Sequence, residues 1–321
     1  MDVLKRLMVI MTVMILAIIG LVLSCQRSES SKQNKVVVAL VMKTMNNPFF
    51  IDMQKGAEDA AEKLNVELIV QAAEREVDVE KQMQIIENLI QRKVSAICVT
   101  PSGSREIVPA IVKANRAKIP VLVVDTRVDQ NTLDELGGTI ATFIGSDNVE
   151  GGRIAGKFIV ERLQETGKIV ILEGIPGHET GDARLRGFHE IIDQYPGIEL
   201  IASQTANWER DQGFNVFQNI LQSHPEVEAL FACNDMMALG AVEANSISGR
   251  NKVLLVIGFD AVEDGRDAIR SGKMTGSVAQ HPYVMGYEAV IRASEVINGQ
   301  ILDEYIPVKI EMITQENVDN Q

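Results

Sequence analysis

The side chains best equipped for chemistry sit in short clusters. These are Asn46-Asn47-Pro48-Phe49-Phe50, Asp125-Thr126-Arg127, Asn207-Trp208, Asn234-Asp235, Phe259-Asp260 and Gln280. Two kinds of group recur. Asn47, Asn234, Gln280, Asp125, Asp260 and Arg127 are planar and bidentate, while Phe49, Phe50, Trp208 and Phe259 are aromatic plates. Carboxylates accept hydrogen bonds, guanidinium donates them, and amides do both. A hydroxyl needs a donor and an acceptor beside it, and the C–H faces of a sugar ring lie flat on aromatic rings. The set therefore suits a small polyhydroxylated ligand. Singly, each residue has a plainer role: Phe49 and Phe50 as core, Asn234 as a helix cap, Asp260 as a turn residue, Trp208 as a surface anchor. Their shared position in the fold gives them weight.

That position follows from the pattern of elements. Short apolar runs at 35–42, 66–71, 94–99, 120–124 and 141–145 alternate with helical patterns at 48–64, 78–92 and 105–116. A second series has runs at 168–173, 198–204, 228–232, 253–258 and 275–279. Its helical patterns lie at 148–165, 182–194, 209–223, 234–246, 262–271 and 283–298. Continuous apolar strands between amphipathic helices predict parallel sheets covered on both faces. The fold class is α/β, with two doubly wound parallel-sheet lobes. Ligands of such sheets bind beyond the carboxyl ends of the strands. Every cluster above follows a strand, as does the stretch GIPGHETGDARLRGF after 168–173. Gly137-Gly138 and Gly151-Gly152 bracket the region expected to hold the first crossing between lobes.

Composition narrows the function. At 321 residues, two domains are the expectation. A formal charge of −13 disfavours a nucleic-acid partner. Lys5 and Arg6 precede an uncharged apolar stretch, 7–24, and Cys25 ends the sequence VLSC. This reads as a secretory signal at 1–24, and the cysteine at its end resembles a bacterial lipoprotein junction, lipidated at Cys25. An uncleaved membrane anchor is the alternative. Either places the domains outside the cytoplasmic membrane. Polar residues 26–34 read as a flexible tether. Cys98 and Cys233 fall in separate apolar runs and read as buried thiols. His178, His189, His224 and His281 lack partners at metal-ligand spacing, so no metal is expected. There is no G-x-S-x-G elbow, no phosphate loop and no dinucleotide fingerprint. Asp125 and Asp260 as a glycosidase pair is the remaining enzymatic reading. No catalytic residue and no cofactor is called for.

The stretches NNPFF, SDNVEGGRIAG, ACNDMMALGA, VIGFDA and SVAQHP together resemble the ribose-binding branch of the bacterial periplasmic sugar-binding proteins. The resemblance spans about Lys35 to Gln315. It implies a type I periplasmic binding protein fold, a monomeric two-lobed clamp with a three-crossing hinge that closes on one monosaccharide. The sugar would pass to an ABC permease or, alternatively, a chemoreceptor or sensor kinase. It implies ligand contacts from Asn47, Phe49, Phe50, Asp125, Trp208, Asn234, Phe259, Asp260 and Gln280, and Arg127 and Asp182 are expected at the ligand with them. It implies a first lobe of 35–146 with 282–309 and a second of 147–281 with 310–321. Hinge strands are expected near 125–128 and 145–147, 280–282 and 308–311. Two departures stand out. Ribose binders have an arginine directly after the aspartate of strand four; here Thr126 intervenes before Arg127. Six residues before Phe188, where they have an arginine, stands Asp182, with Arg184 read as structural. Exchanging a donor for an acceptor argues for another hydroxyl pattern: a different pentose, a hexose or a sugar alcohol. Residues 128–142 form a longer connection than in the ribose proteins, expected as a lip near the first crossing.

Overall fold

The computed structural model describes residues 35–250 and 253–320, with Met8, Met11 and Met14. The signal reading over 1–24 (those three methionines apart), the lipidated Cys25 and the tether 26–34 lie outside the described residues. Every element below belongs to one compact unit, Val37–Gln321.

The chain opens with β1 (Val37–Met42), fully buried after its first residue. Helix α1 (Pro48–Leu64) follows at once. Pro48 opens it, Asn47 caps it by accepting from the Phe49 amide at 3.0 Å, and Asn65 ends it in the left-handed region. Its buried face is Phe49, Phe50, Met53, Gly56, Ala57, Ala60 and Ala61, at helical spacing. There follow β2 (Glu67–Ala72), α2 (Val79–Gln91), β3 (Ala96–Val99), α3 (Val108–Arg116), β4 (Val121–Val124), α4 (Gln130–Glu135) and β5 (Phe143–Gly145). The second series is α5 (Asn148–Arg162), β6 (Gly167–Glu173), α6 (Glu179–Ile192), β7 (Ile198–Thr205), α7 (Arg210–Ser223), β8 (Ala229–Ala232), α8 (Asp235–Ile247), β9 (Leu255–Asp260), α9 (Glu263–Arg270) and β10 (Gly276–Ala279). Then come α10 (Pro282–Ile297), β11 (Tyr305–Pro307) and β12 (Glu311–Ile313).

Two six-stranded sheets result, ordered β11-β5-β4-β3-β1-β2 and β12-β10-β9-β8-β6-β7. Each lobe packs its own apolar core around its sheet. The chain passes between sheets three times: after β5, after β10 and between β11 and β12. The first two passages lead into helices that run back along their lobe. The third leads straight into a strand. That strand enters the second sheet from its carboxyl end, so β12 pairs antiparallel with β10 in a sheet otherwise parallel. β11 and β12 have three residues each, too short for a pattern in the sequence.

Three expectations need correction. Residues 125–128 are not a crossing. Asp125 turns the chain at φ 65°, its amide donates to the Ile144 carbonyl at 2.8 Å, and the Asp129 amide donates to the Ser104 carbonyl at 2.8 Å. Both bonds pin the segment to the first lobe. It leads into α4, which Asp129 caps and which the 128–142 reading did not include. Helix α3 starts at Val108, not 105, with Pro109 in its first turn. Helix α6 starts at Glu179, three residues before the expected 182.

Candidate functional site

One cavity lies between the carboxyl ends of the two sheets. Six residues from each lobe line it: Lys43, Asn47, Phe49, Phe50, Glu76 and Asp125 opposite Thr180, Arg184, Trp208, Asn234, Asp260 and Gln280.

The first lobe's half grows from the β1–α1 connection. Phe49 and Phe50 meet edge to face, with ring centres 5.2 Å apart. Asn47 spends its carbonyl on the helix cap and donates from Nδ2 to Glu76 Oε1 at 3.1 Å. Lys43 Nζ lies 3.3 Å from Asp125 Oδ2, both side chains 4% exposed. Thr126 donates its hydroxyl to the same carboxylate at 2.9 Å. Burial raises the Glu76 carboxyl above the usual range, and Lys43 and Asn47 hold it back.

The second lobe's half centres on Arg184. Its Nε donates to Asn148 Oδ1 at 2.8 Å and its Nη1 to the Cys233 carbonyl at 2.5 Å. Nη1 is 3.7 Å from Asp260 Oδ1. Below, the guanidinium stacks on Phe259, 3.8 Å from the ring centre; the Trp208 ring is 5.6 Å away. Burial drives the Asp260 carboxyl well above its ordinary pKa, against the pull of Arg184. Gln280 donates from Nε2 to Asp260 Oδ1 at 2.6 Å, while its Oε1 is buried without a partner. Asn234 caps α8 and also donates to the Trp208 carbonyl at 3.0 Å. Asp260 and Ala261 run through positive φ, 105° and 50°. A buried pair holds this turn: Asp235 accepts from the Val262 amide at 2.9 Å and from Ser277 Oγ at 2.6 Å, and Ser277 Oγ accepts from the Ala261 amide at 3.0 Å.

The periplasmic binding protein domain matches residues 38–301, which hold both sheets' strand ends at the cavity. The chain belongs to the periplasmic binding protein family. The family assignment puts it outside the cytoplasm. Among relatives, the ribose import binding protein of Bacillus subtilis (strain 168) is 36% identical over 289 residues, 90% of each chain. The D-allose-binding periplasmic protein of Escherichia coli (strain K12) is 34% identical over 270 residues, 84% of this chain and 85% of its own. Among solved structures, an ABC transporter periplasmic solute binding protein from Actinobacillus succinogenes 130z with bound D-allose superposes with a TM-score of 0.85. It is 37% identical, over 89% of this chain and all of that one.

The structure brings Asn47, Phe49, Phe50, Asp125, Trp208, Asn234, Asp260 and Gln280 together at this periplasmic binding protein cleft. Three expected ligand contacts lie elsewhere. Arg127 is exposed and lies flat against Phe143 and Tyr305, 3.9 and 4.8 Å from their ring centres, beside the β5–β11 pairing. Thr126 takes the inward place, and Lys43 supplies the cation beside Asp125. Asp182 is exposed and lines a separate groove at the rim of the cleft. The buried face of α6 includes Thr180, Arg184 and Phe188, at four-residue spacing, and Asp182 lies on the other side. Phe259 is fully buried under Arg184, not at the cavity wall. A side chain at Gly151 would come within 2.4 Å of its ring, so the glycine makes room for it. The residues missed were Lys43, Glu76, Thr180 and Arg184. Helical spacing back from Phe188 would have found Arg184; no pattern in the sequence marks Glu76.

Proposed function

We propose that this cavity binds one neutral monosaccharide or sugar alcohol by closure of the two lobes, and that the closed protein delivers it to an ABC-type importer. The observation that carries this is the wall itself. Aromatic rings from both lobes face one shared cavity, and Gln280 Oε1 there is a buried acceptor that still lacks a donor. A ligand hydroxyl supplies it. The ligand set is the twelve lining residues, with Phe259 acting through Arg184. The carboxylates are held by Lys43, Asn47, Arg184 and Gln280, which favours binding over turnover. The relatives named above, one for ribose import and two associated with D-allose, favour a pentose or hexose. With Arg184 at the wall, the case against ribose drawn from Asp182 falls.

The working unit in this reading is a monomer with hinge segments at 146–147, 280–281 and 308–310, dividing it into 35–146 with 282–309 and 147–281 with 310–321. Lipid on Cys25 tethers it to the membrane. Mass analysis of the mature N-terminus should find lipid on Cys25, and an unmodified Cys25 or an uncleaved segment 1–24 would overturn the lipid anchor. For the ligand, the test is melting temperature against D-ribose, D-allose, myo-inositol and amino-acid controls. A ligand that binds only the folded state stabilises it by RT ln(1 + [L]/Kd), so a hundredfold excess over Kd adds about 2.7 kcal/mol. A rise with one or two of the polyols supports the reading. A flat panel of pentoses, hexoses and polyols would sink it.

A further inference from the structure

The chain has a single tryptophan. Trp208 walls the cavity from the second lobe, yet what fixes its ring reaches across to the first. Its backbone and that of Asn207 run at φ 69° and 52°. The ring lies where Gly174 has no side chain; a Cβ there would stand 2.0 Å from it. Its Nε1–H donates to His178 Nδ1 at 3.4 Å. That bond needs an imidazole with Nδ1 unprotonated. His178 is 5% exposed, and burial pushes its pKa down to about 4. The charged groups facing it are Lys43, which lowers it further, and Asp125, which opposes. The neutral ring therefore carries its proton on Nε2.

The Ser102 backbone in the first lobe is near enough to the imidazole to favour its charged form. Ser102 follows β3, its amide is pinned to Gln82 Oε1 at 2.8 Å, and its own hydroxyl is buried without a partner. One residue on, the Glu179 amide donates to Ser104 Oγ at 3.3 Å, again across the lobes. These contacts exist only while the lobes are together.

We propose that His178 is a positioning residue that ties lobe closure to the pose of Trp208. The proposal rests on the sugar-binding reading above. In the closed clamp the imidazole holds the indole N–H, and the next residue, Glu179, is bonded to Ser104 of the first lobe. Opening removes the first-lobe contact and frees the ring, so the indole is set against the ligand only on closure. Its effect belongs mainly to ligand release, since the contact must break before the lobes part.

The test uses Trp208 fluorescence, which reports this side chain alone. Without sugar, emission of the parent protein should change as pH falls through about 4, with far-UV circular dichroism steady. In His178→Gln, whose amide can accept from the indole, that change should vanish. His178→Leu, which cannot, should differ in emission at neutral pH. With whichever of D-allose, D-ribose or myo-inositol raises the parent's melting temperature most, His178→Leu should weaken binding roughly tenfold, mostly through faster dissociation. His178→Gln should stay within about threefold of the parent. Parent-like affinity and dissociation in His178→Leu would overturn the proposal. So would parent-like emission in that variant, whatever the cavity binds. If the parent binds none of the three sugars, the sugar reading fails, and the emission comparison still decides whether His178 sets the indole.

Discussion

The two lobes contribute equal numbers of lining residues but build their halves differently. The first lobe draws four of its six from one short stretch, Lys43 to Phe50, at the start of one helix. Most of its backbone there is ordinary, and Asn47 is both cap and cavity wall. Asp125 alone among the six sits at positive φ. The second lobe draws its six from α6 and from the ends of β7, β8, β9 and β10. Trp208 and Asp260 both sit at positive φ, and Arg184 is supported by Phe259, Asn148 and the Cys233 carbonyl. A local motif makes one half; a tertiary scaffold makes the other. Strained backbone persists only where its surroundings over-determine it, so the second half should be less forgiving.

The largest effect should come from the two buried cations. Arg184→Met removes the partner of Asp260 and three further contacts. It should cost about 3–5 kcal/mol in stability and weaken sugar binding more than about a hundredfold. Lys43→Met strands Asp125 in the same way, but Thr126 still bonds that carboxylate, so its cost should fall at the low end of that range. Urea unfolding and calorimetric titration of both variants measure this. If Lys43→Met proved the more damaging, the asymmetry between lobes would be wrong.

The same asymmetry decided what could be read from the sequence. Strand and helix order was legible because apolar runs and amphipathic patterns are local. NNPFF was legible because a cap, a proline and two plates at a strand end are contiguous. Arg184 was legible only in part: four-residue spacing back from Phe188 puts it on the buried face of α6, while the position six before Phe188, where the resemblance set the ligand contact, falls on the exposed side. Phe259 was placed at the right strand end but one layer too high, since a stack beneath a guanidinium leaves no mark on spacing. Lys43 and Glu76 lie on separate connections and meet Asp125 and Asn47 only after folding.

A smaller effect tests the scaffold beneath Asp260. Burial pushes the Asp235 carboxyl up to about 7, with Ser277 and the Val262 amide pulling it back. Its folded pKa exceeds the unfolded value of about 3.9, so the folded state binds the proton more tightly. Stability from this group is complete below the unfolded pKa and is lost as pH rises through about 7. Asn at this position mimics the neutral acid, accepting from Val262 and donating to Ser277. Asp235→Asn should therefore gain on the parent by about 2 kcal/mol between roughly pH 5 and pH 8. The raised Asp260 carboxyl pushes in the same direction but is present in both proteins, so the difference isolates Asp235. A melting-temperature difference independent of pH would show that this carboxyl is already ionised, and that the second lobe's turn is held by charge.

The smallest effect is the sharpest test of register. Asp182 sits on the rim, exposed, two residues from Thr180 and two from Arg184, and so on the opposite side of α6 from both. Asp182→Asn keeps its shape and removes only its charge. It should leave sugar affinity within about twofold and stability within about 0.5 kcal/mol. The neighbouring Arg184→Met should abolish measurable binding. Two residues apart in sequence, the substitutions then differ by more than a hundredfold. That contrast follows only if the buried face of α6 carries Arg184 and Phe188. If Asp182 faced the ligand instead, Asp182→Asn would cost the affinity of a charged hydrogen bond, about tenfold or more.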